Sequence, residues 1–160
     1  MYRILVVDDE AKIRLLIRKY AEFEGHAVTE AENGMEAVNL CRQDPDKFDI
    51  IIMDVMMPEL DGFSAVAEIR KIASPAVIML SARGEEYDKI HGFELGVDDY
   101  VVKPFSPKEL MMRVNAVMNR GRQFLYEYDE KIRQGAPVEI LQEANRKIAD
   151  MVREESDKAL

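Results

Sequence analysis

The chain holds one cysteine, Cys41, and two histidines, His26 and His91, in 160 residues. A lone thiol closes no intrachain disulfide, and Cys41 has no ligand-spaced neighbour, so packing inside a helical segment is its expected role. Positive charge is also scarce: 22 Lys and Arg stand against 31 Asp and Glu, for a net charge of −9 and a pI near 4.8. Binding nucleic acid through bulk electrostatics needs a basic face, which this balance argues against. No apolar run exceeds strand length, and Met1-Tyr2-Arg3 does not open a signal peptide. The expectation is a soluble cytosolic protein that does not engage a membrane. Repeats and low-complexity segments are missing too, and the length suits one well-buried domain with an appendage.

What the chain does have is apolar runs that stop at acids. Ile50-Ile51-Ile52-Met53 ends at Asp54 and passes into a loop punctuated by Pro58 and Gly62. A run without polar alternation fits a strand covered on both faces, as in a parallel sheet. Taken alone, Asp54 could simply cap the next element or begin a turn. Arg3 to Val7 repeats the pattern and ends at Asp8-Asp9-Glu10, while Ala76 to Leu80 ends at Ser81-Ala82-Arg83. Ala27 to Ala31 and Asp98 to Val102 complete five strands, the last running into Lys103-Pro104-Phe105.

Helices alternate with these strands. Ile13, Leu16, Ile17, Tyr20 and Phe23 recur at helical spacing over 11–24, with Gly25 as the stop. Asn33-Gly34 opens a second helix through Cys41, and Phe63, Ala65, Val66, Ile69 and Ile72 mark a third. A weaker pattern covers 85–95. Ser106-Pro107 starts a fifth helix, with Ser as N-cap, that uses Leu110, Met111, Val114, Val117 and Met118 and ends near residue 120. This β-α order predicts an α/β fold, a doubly wound parallel sheet that brings every strand end to one edge.

That edge gathers Asp8, Asp9, Asp54, Ser81 and Lys103. Carboxylates about 4 to 6 Å apart repel by about 3 kcal/mol per pair at an effective dielectric near 20, so three of them need a cation. Oxygen ligands without His or Cys suit Mg²⁺. Asp54 is then a nucleophile whose attack yields an aspartyl phosphate, with Lys103 and the metal offsetting charge and Ser81 bonding a phosphoryl oxygen.

These residues, Val7-Asp8-Asp9-Glu10, Met53-Asp54 with Pro58 and Asp61-Gly62, Ser81-Ala82-Arg83, and Tyr100 with Lys103-Pro104-Phe105, resemble the receiver domain of two-component response regulators. The resemblance implies a flavodoxin-like, CheY-like sheet of order 2-1-3-4-5 over residues 1–120. It implies that Asp54 takes a phosphoryl group from a sensor histidine kinase. Asp8, Asp9, Asp54 and the Met56 carbonyl would hold Mg²⁺, and Lys103 would bind phosphate before a cis Pro104. Ser81 and Tyr100 form the family's switch pair. Lys89, Asp98, Asp99, Glu109, Arg113 and Arg120 resemble the face through which the OmpR/PhoB branch forms homodimers on phosphorylation; without dimerisation they are a solvated charged surface. Met56 and Arg83, two residues after Asp54 and Ser81, offer no carboxylate or amide to orient water, so self-dephosphorylation is expected to be slow and turnover catalysis absent.

Residues 121–160 depart from that branch, whose winged helix needs strands and a basic recognition helix. They read as a helical tail of two helices broken near 135–137, the first over 123–134 and the second striped by Val138, Leu141, Ala144, Ile148, Met151 and Val152. The tail has no histidine, which excludes a phosphotransfer helix, and with 7 Lys and Arg against 9 Asp and Glu it is not expected to bind DNA. Two other readings stand beside the signalling module. The chain could be the receiver of a DNA-binding regulator whose effector is missing or replaced by the tail. It could also be a haloacid-dehalogenase-type phosphatase, although that family needs a second acid two residues after the nucleophile, where Met56 stands.

Overall fold

The computed structural model describes the backbone of residues 1–82, 90–92 and 94–133, and the side chains among these up to residue 120. Five strands form one parallel sheet: β1 (Arg3–Val7), β2 (Ala27–Ala31), β3 (Ile50–Asp54), β4 (Ala76–Ser81) and β5 (Asp99–Val102), in the order β2-β1-β3-β4-β5. Between them run α1 (Ala11–Phe23), α2 (Gly34–Gln43) and α3 (Gly62–Arg70). Of a fourth helix, α4, residues 90–92 and 94 are described, and α5 is Pro107–Arg133.

The uninterrupted apolar strands are explained by their two buried faces. Leu5, Val7, Ile51, Met53, Val77, Met79 and Tyr100 pack with Ala37, Val38 and Cys41 of α2 and with Phe63, Ala65, Val66 and Ile69 of α3. The alternate residues Ile4, Val6, Ile50, Ile52, Ile78, Leu80 and Val101 pack with Ile17 and Ala21 of α1 and with Leu110, Met111, Val114 and Val117 of α5. Side chains alternate along a strand, so two helical layers require both sets to be apolar. Cys41 lies in this core, where burial pushes its thiol pKa up.

Local chemistry ends the elements where the sequence indicates. Asn33 and Asp61 accept from the N–H groups of Glu36 and Ser64 at 2.8 and 2.9 Å, capping α2 and α3, and Ser106 caps α5 through the Glu109 N–H at 3.3 Å. Gly25 takes φ 90° after α1, a conformation that costs glycine little. The Lys103–Pro104 peptide is cis.

Two expectations are corrected. Leu16 and Phe23 do not belong to the buried face of α1: both are exposed, Phe23 at 89%, while Arg14 turns inward with Ile17 and Ala21. Nor does the last helix stop near residue 120, because α5 continues unbroken to Arg133 and absorbs most of the segment read as a separate helix. The 135–137 break, the final striped helix, most of the 85–95 segment, Arg83 and Lys89 lie outside the described residues. Among the described residues no helix is long and apolar enough to cross a membrane.

Candidate functional site

Parallel register brings the predicted residues to the carboxyl edge of the sheet. Val7 pairs with Met53, which puts Asp8 beside Asp54 at the ends of neighbouring central strands. Asp54 pairs with Leu80, so Ser81 stands one residue beyond it, and Ser81 pairs with Val102, immediately before Lys103. The Lys103 N–H donates to the Ser81 carbonyl at 2.7 Å, locking the β5 exit against β4.

At the centre, Lys103 Nζ lies 2.9 Å from Asp8 Oδ2 and 3.3 Å from Asp54 Oδ1. Asp8 is fully buried and Asp54 is 3% exposed, while Asp9 faces solvent. Carboxylate oxygens of Asp8, Asp9 and Asp54 lie within 4.8 Å of one another. Burial, and next the charge of Asp8, push the Asp54 carboxyl up to about 6, with Lys103 pulling the other way. For the Lys103 ammonium, burial alone works downward, but the bond to Asp8 and the charge of Asp54 outweigh it and raise it above its ordinary value.

This donor set fits a divalent cation. Three carboxylates and one ammonium leave a net charge of two negatives among hard oxygen donors, two of them buried and the third, Asp9, open to solvent. Mg²⁺ suits such a set, since it takes few protein carboxylates and leaves positions for water and phosphate oxygens. Met56 sits on the loop after β3 with an exposed side chain.

Ser81 and Tyr100 are both buried. Tyr100 pairs with Met79, two residues before Ser81, so the two share one face of the sheet as diagonal neighbours. The Tyr100 ring belongs to the cluster that contains Phe63, Met79 and Val97. The charged face is only partly a surface. Asp99, read as one of its charges, is 1% exposed and paired with Arg113 at 3.1 Å, and Arg113 also holds Glu109 at 3.2 Å. Asp98 accepts from the Val77 N–H at 2.8 Å and lies 3.9 Å from Arg70, with Arg120 acting on it through charge.

One contributor escaped the sequence reading. Arg14 stands between apolar positions of α1, and its Nη1 donates to the Asp8 carbonyl at 2.7 Å. The available signal was its spacing: 14, 17 and 21 lie on one helical stripe, and Ile17 and Ala21 are core.

The response regulator receiver domain family model matches residues 4–115. The chain is 48% identical over 124 residues to the transcriptional regulatory protein ResD of Bacillus subtilis, an overlap of 78% of this chain and 51% of ResD. It is 40% identical over 151 residues to the transcriptional regulatory protein SrrA of Staphylococcus aureus, covering 92% of this chain and 62% of SrrA. It therefore spans between half and two thirds of these relatives. Among solved structures, the Francisella response regulator 1452 receiver domain is 40% identical with a TM-score of 0.70, covering 76% of this chain and 99% of that one. A receiver domain protein from Clostridium thermocellum is 31% identical with a TM-score of 0.71, covering 77% and 98%.

Proposed function

The chain belongs to the response regulator receiver family, and from that premise we propose that it is a phosphorylation-activated switch in which Asp54 accepts a phosphoryl group from a sensor histidine kinase. The observation that carries this reading is the convergence of Asp54, Asp8, Asp9 and Lys103, drawn from three separate strand ends, on one pocket.

An Asp54 carboxylate oxygen attacks phosphorus in line with the leaving imidazole of the kinase's phosphohistidine. The O–P bond forms as the N–P bond breaks; the imidazole keeps the bonding pair and is protonated from solvent. Asp8, Asp9, Asp54 and the Met56 carbonyl are the groups that would hold Mg²⁺, which when bound supplies positive charge beside the phosphoryl oxygens. Lys103, tethered to Asp8, adds a second positive charge at the oxygen it already faces. The Ser81 hydroxyl donates to another phosphoryl oxygen. That bond favours arrangements with Tyr100 packed inward, and so biases the face made by α4, β5 and α5 towards homodimerisation or partner binding.

The chain keeps the phosphoryl group as a signal rather than turning substrate over. Met56 at the second position after Asp54 lacks the second acid that a haloacid-dehalogenase-type phosphatase needs there. A second reading concerns the output: both named relatives are transcriptional regulatory proteins longer than their match to this chain, which supports a receiver that governs a DNA-binding effector. The described part of this chain would not itself touch nucleic acid. Labelled phosphoryl donor and Mg²⁺ test the central claim: wild type takes up one phosphoryl per chain, and label persisting on Asp54→Asn overturns it.

A further inference from the structure

Arg14 is a charged side chain only 9% exposed, and a buried guanidinium is costly unless its donors are met. They are met in a particular direction. Nε donates to Glu30 Oε1 of the edge strand at 3.1 Å, and Nη1 reaches past α1 to the Asp8 carbonyl at 2.7 Å. Glu30 is anchored in turn, its other oxygen taking Arg18 Nη1 at 2.6 Å, and Glu32 lies 3.9 Å from Arg14.

Strand β1 ends at Val7, so Asp8 begins a stretch in which the ladder no longer dictates every peptide. Each polar group of Asp8 is nonetheless held. Its N–H donates to the Ala31 carbonyl at 3.2 Å, Oδ1 accepts from the Glu10 N–H at 2.9 Å, Oδ2 takes Lys103, and the carbonyl takes Arg14. That carbonyl belongs to the peptide joining Asp8 to Asp9. Rotating this peptide plane would swing the exposed Asp9 carboxylate relative to the buried Asp8 and Asp54.

We propose that Arg14, braced by Glu30, is a positioning residue for the acidic pocket: it fixes the Asp8–Asp9 peptide and thereby the spacing of the carboxylates that receive Mg²⁺. The inference rests on the Mg²⁺ reading above. Mg²⁺ demands near-ideal octahedral geometry, so an error of a few tenths of an ångström in one ligand is felt in affinity. Groups that orient ligands from behind typically carry about 10- to 100-fold in metal affinity.

A structural clasp between α1 and β2 is the competing account, and Arg18 separates the two. It binds Glu30 and Glu22 and has no bond to Asp8. Calorimetric Mg²⁺ titration of the full chain, with amide NMR of Asp8, Asp9 and Glu10, compares wild type, Arg14→Met, Arg14→Lys and Arg18→Met. Arg14→Met should weaken Mg²⁺ about tenfold or more and shift the Asp9 amide, Arg14→Lys should fall between, and Arg18→Met should stay within about twofold of wild type. Wild-type affinity in Arg14→Met, or equal weakening in Arg14→Met and Arg18→Met, overturns the proposal. If Arg14→Met does not fold, wild-type affinity with an unmoved Asp9 amide in Arg14→Lys does so. A wild-type chain that fails to bind Mg²⁺ sinks the metal reading itself.

Discussion

Gly62 passes so close beneath Asp54 that a Cβ built on it would overlap the Asp54 carbonyl oxygen and stand 2.9 Å from the Met79 Cε. The Gly62 N–H also donates to the Val55 carbonyl at 2.9 Å, so the loop after β3 folds back onto the residue it has just left. Backbone cannot yield as a flexible side-chain end can. Gly62→Ala should therefore lose about 1–3 kcal/mol in urea unfolding and slow phosphoryl uptake by displacing Asp54. Unchanged stability would show that the loop relaxes freely.

Asp54 costs the metal-free fold stability when it ionises. Its carboxyl is raised from 3.8 to about 6, chiefly by burial and then by Asp8. Between those values the folded state binds more protons than the unfolded one, so stability falls as pH rises through the window. The favourable contribution is complete below about pH 3.8 and gone above about 6. Two units correspond to about 3 kcal/mol as an upper figure. Asp54→Asn should flatten this slope and stabilise the metal-free protein at pH 7, and Mg²⁺ should narrow the gap by stabilising wild type. Urea unfolding at pH 4 and pH 7, with and without metal, checks each sign.

Lys103 supplies the one ammonium bound to both Asp8 and Asp54 among the described residues. Lys103→Met should push the Asp54 carboxyl higher still, because Lys103 lowers it. Phosphoryl uptake at saturating Mg²⁺ should slow by about a hundredfold, the scale of losing one donor aimed at developing charge. An unchanged rate in stopped-flow uptake with a small-molecule phosphodonor would remove Lys103 from the reaction.

Phosphorylated protein should lose its label slowly, over minutes to hours in purified Mg²⁺ solution, because Met56 brings no group to orient water. Met56→Asn should shorten the lifetime. A wild-type half-life of seconds would contradict this.

Asp99 and Arg113 are paired at 3.1 Å within one chain, so homodimerisation through this face needs their partners exchanged or shared. Light scattering after size exclusion should show a larger species with beryllofluoride and Mg²⁺, and Arg113→Ala should abolish it. A fully loaded chain that stays monomeric would end the dimer reading.

The order and type of the elements were legible because the strands are buried on both sides and read as continuous apolar runs, while Gly25, Asn33 and Pro107 punctuate the helices with local chemistry. The face of α1 was not, since its spacing admits two neighbouring stripes and a charged residue occupies the buried one. The end of α5 was not either, because Gly121 offers a break that the helix runs straight through on its way to Arg133.

The same division holds for the site. Composition and spacing alone determined that acids and a lysine stand at strand ends, and hence which chemistry was available. Only the tertiary structure decided how tightly they meet: parallel register sets Asp8 beside Asp54, Lys103 reaches both, and Arg14 grips the Asp8 carbonyl from the neighbouring helix. Those relations depend on packing between residues far apart in the chain, where local pattern carries no information about distance.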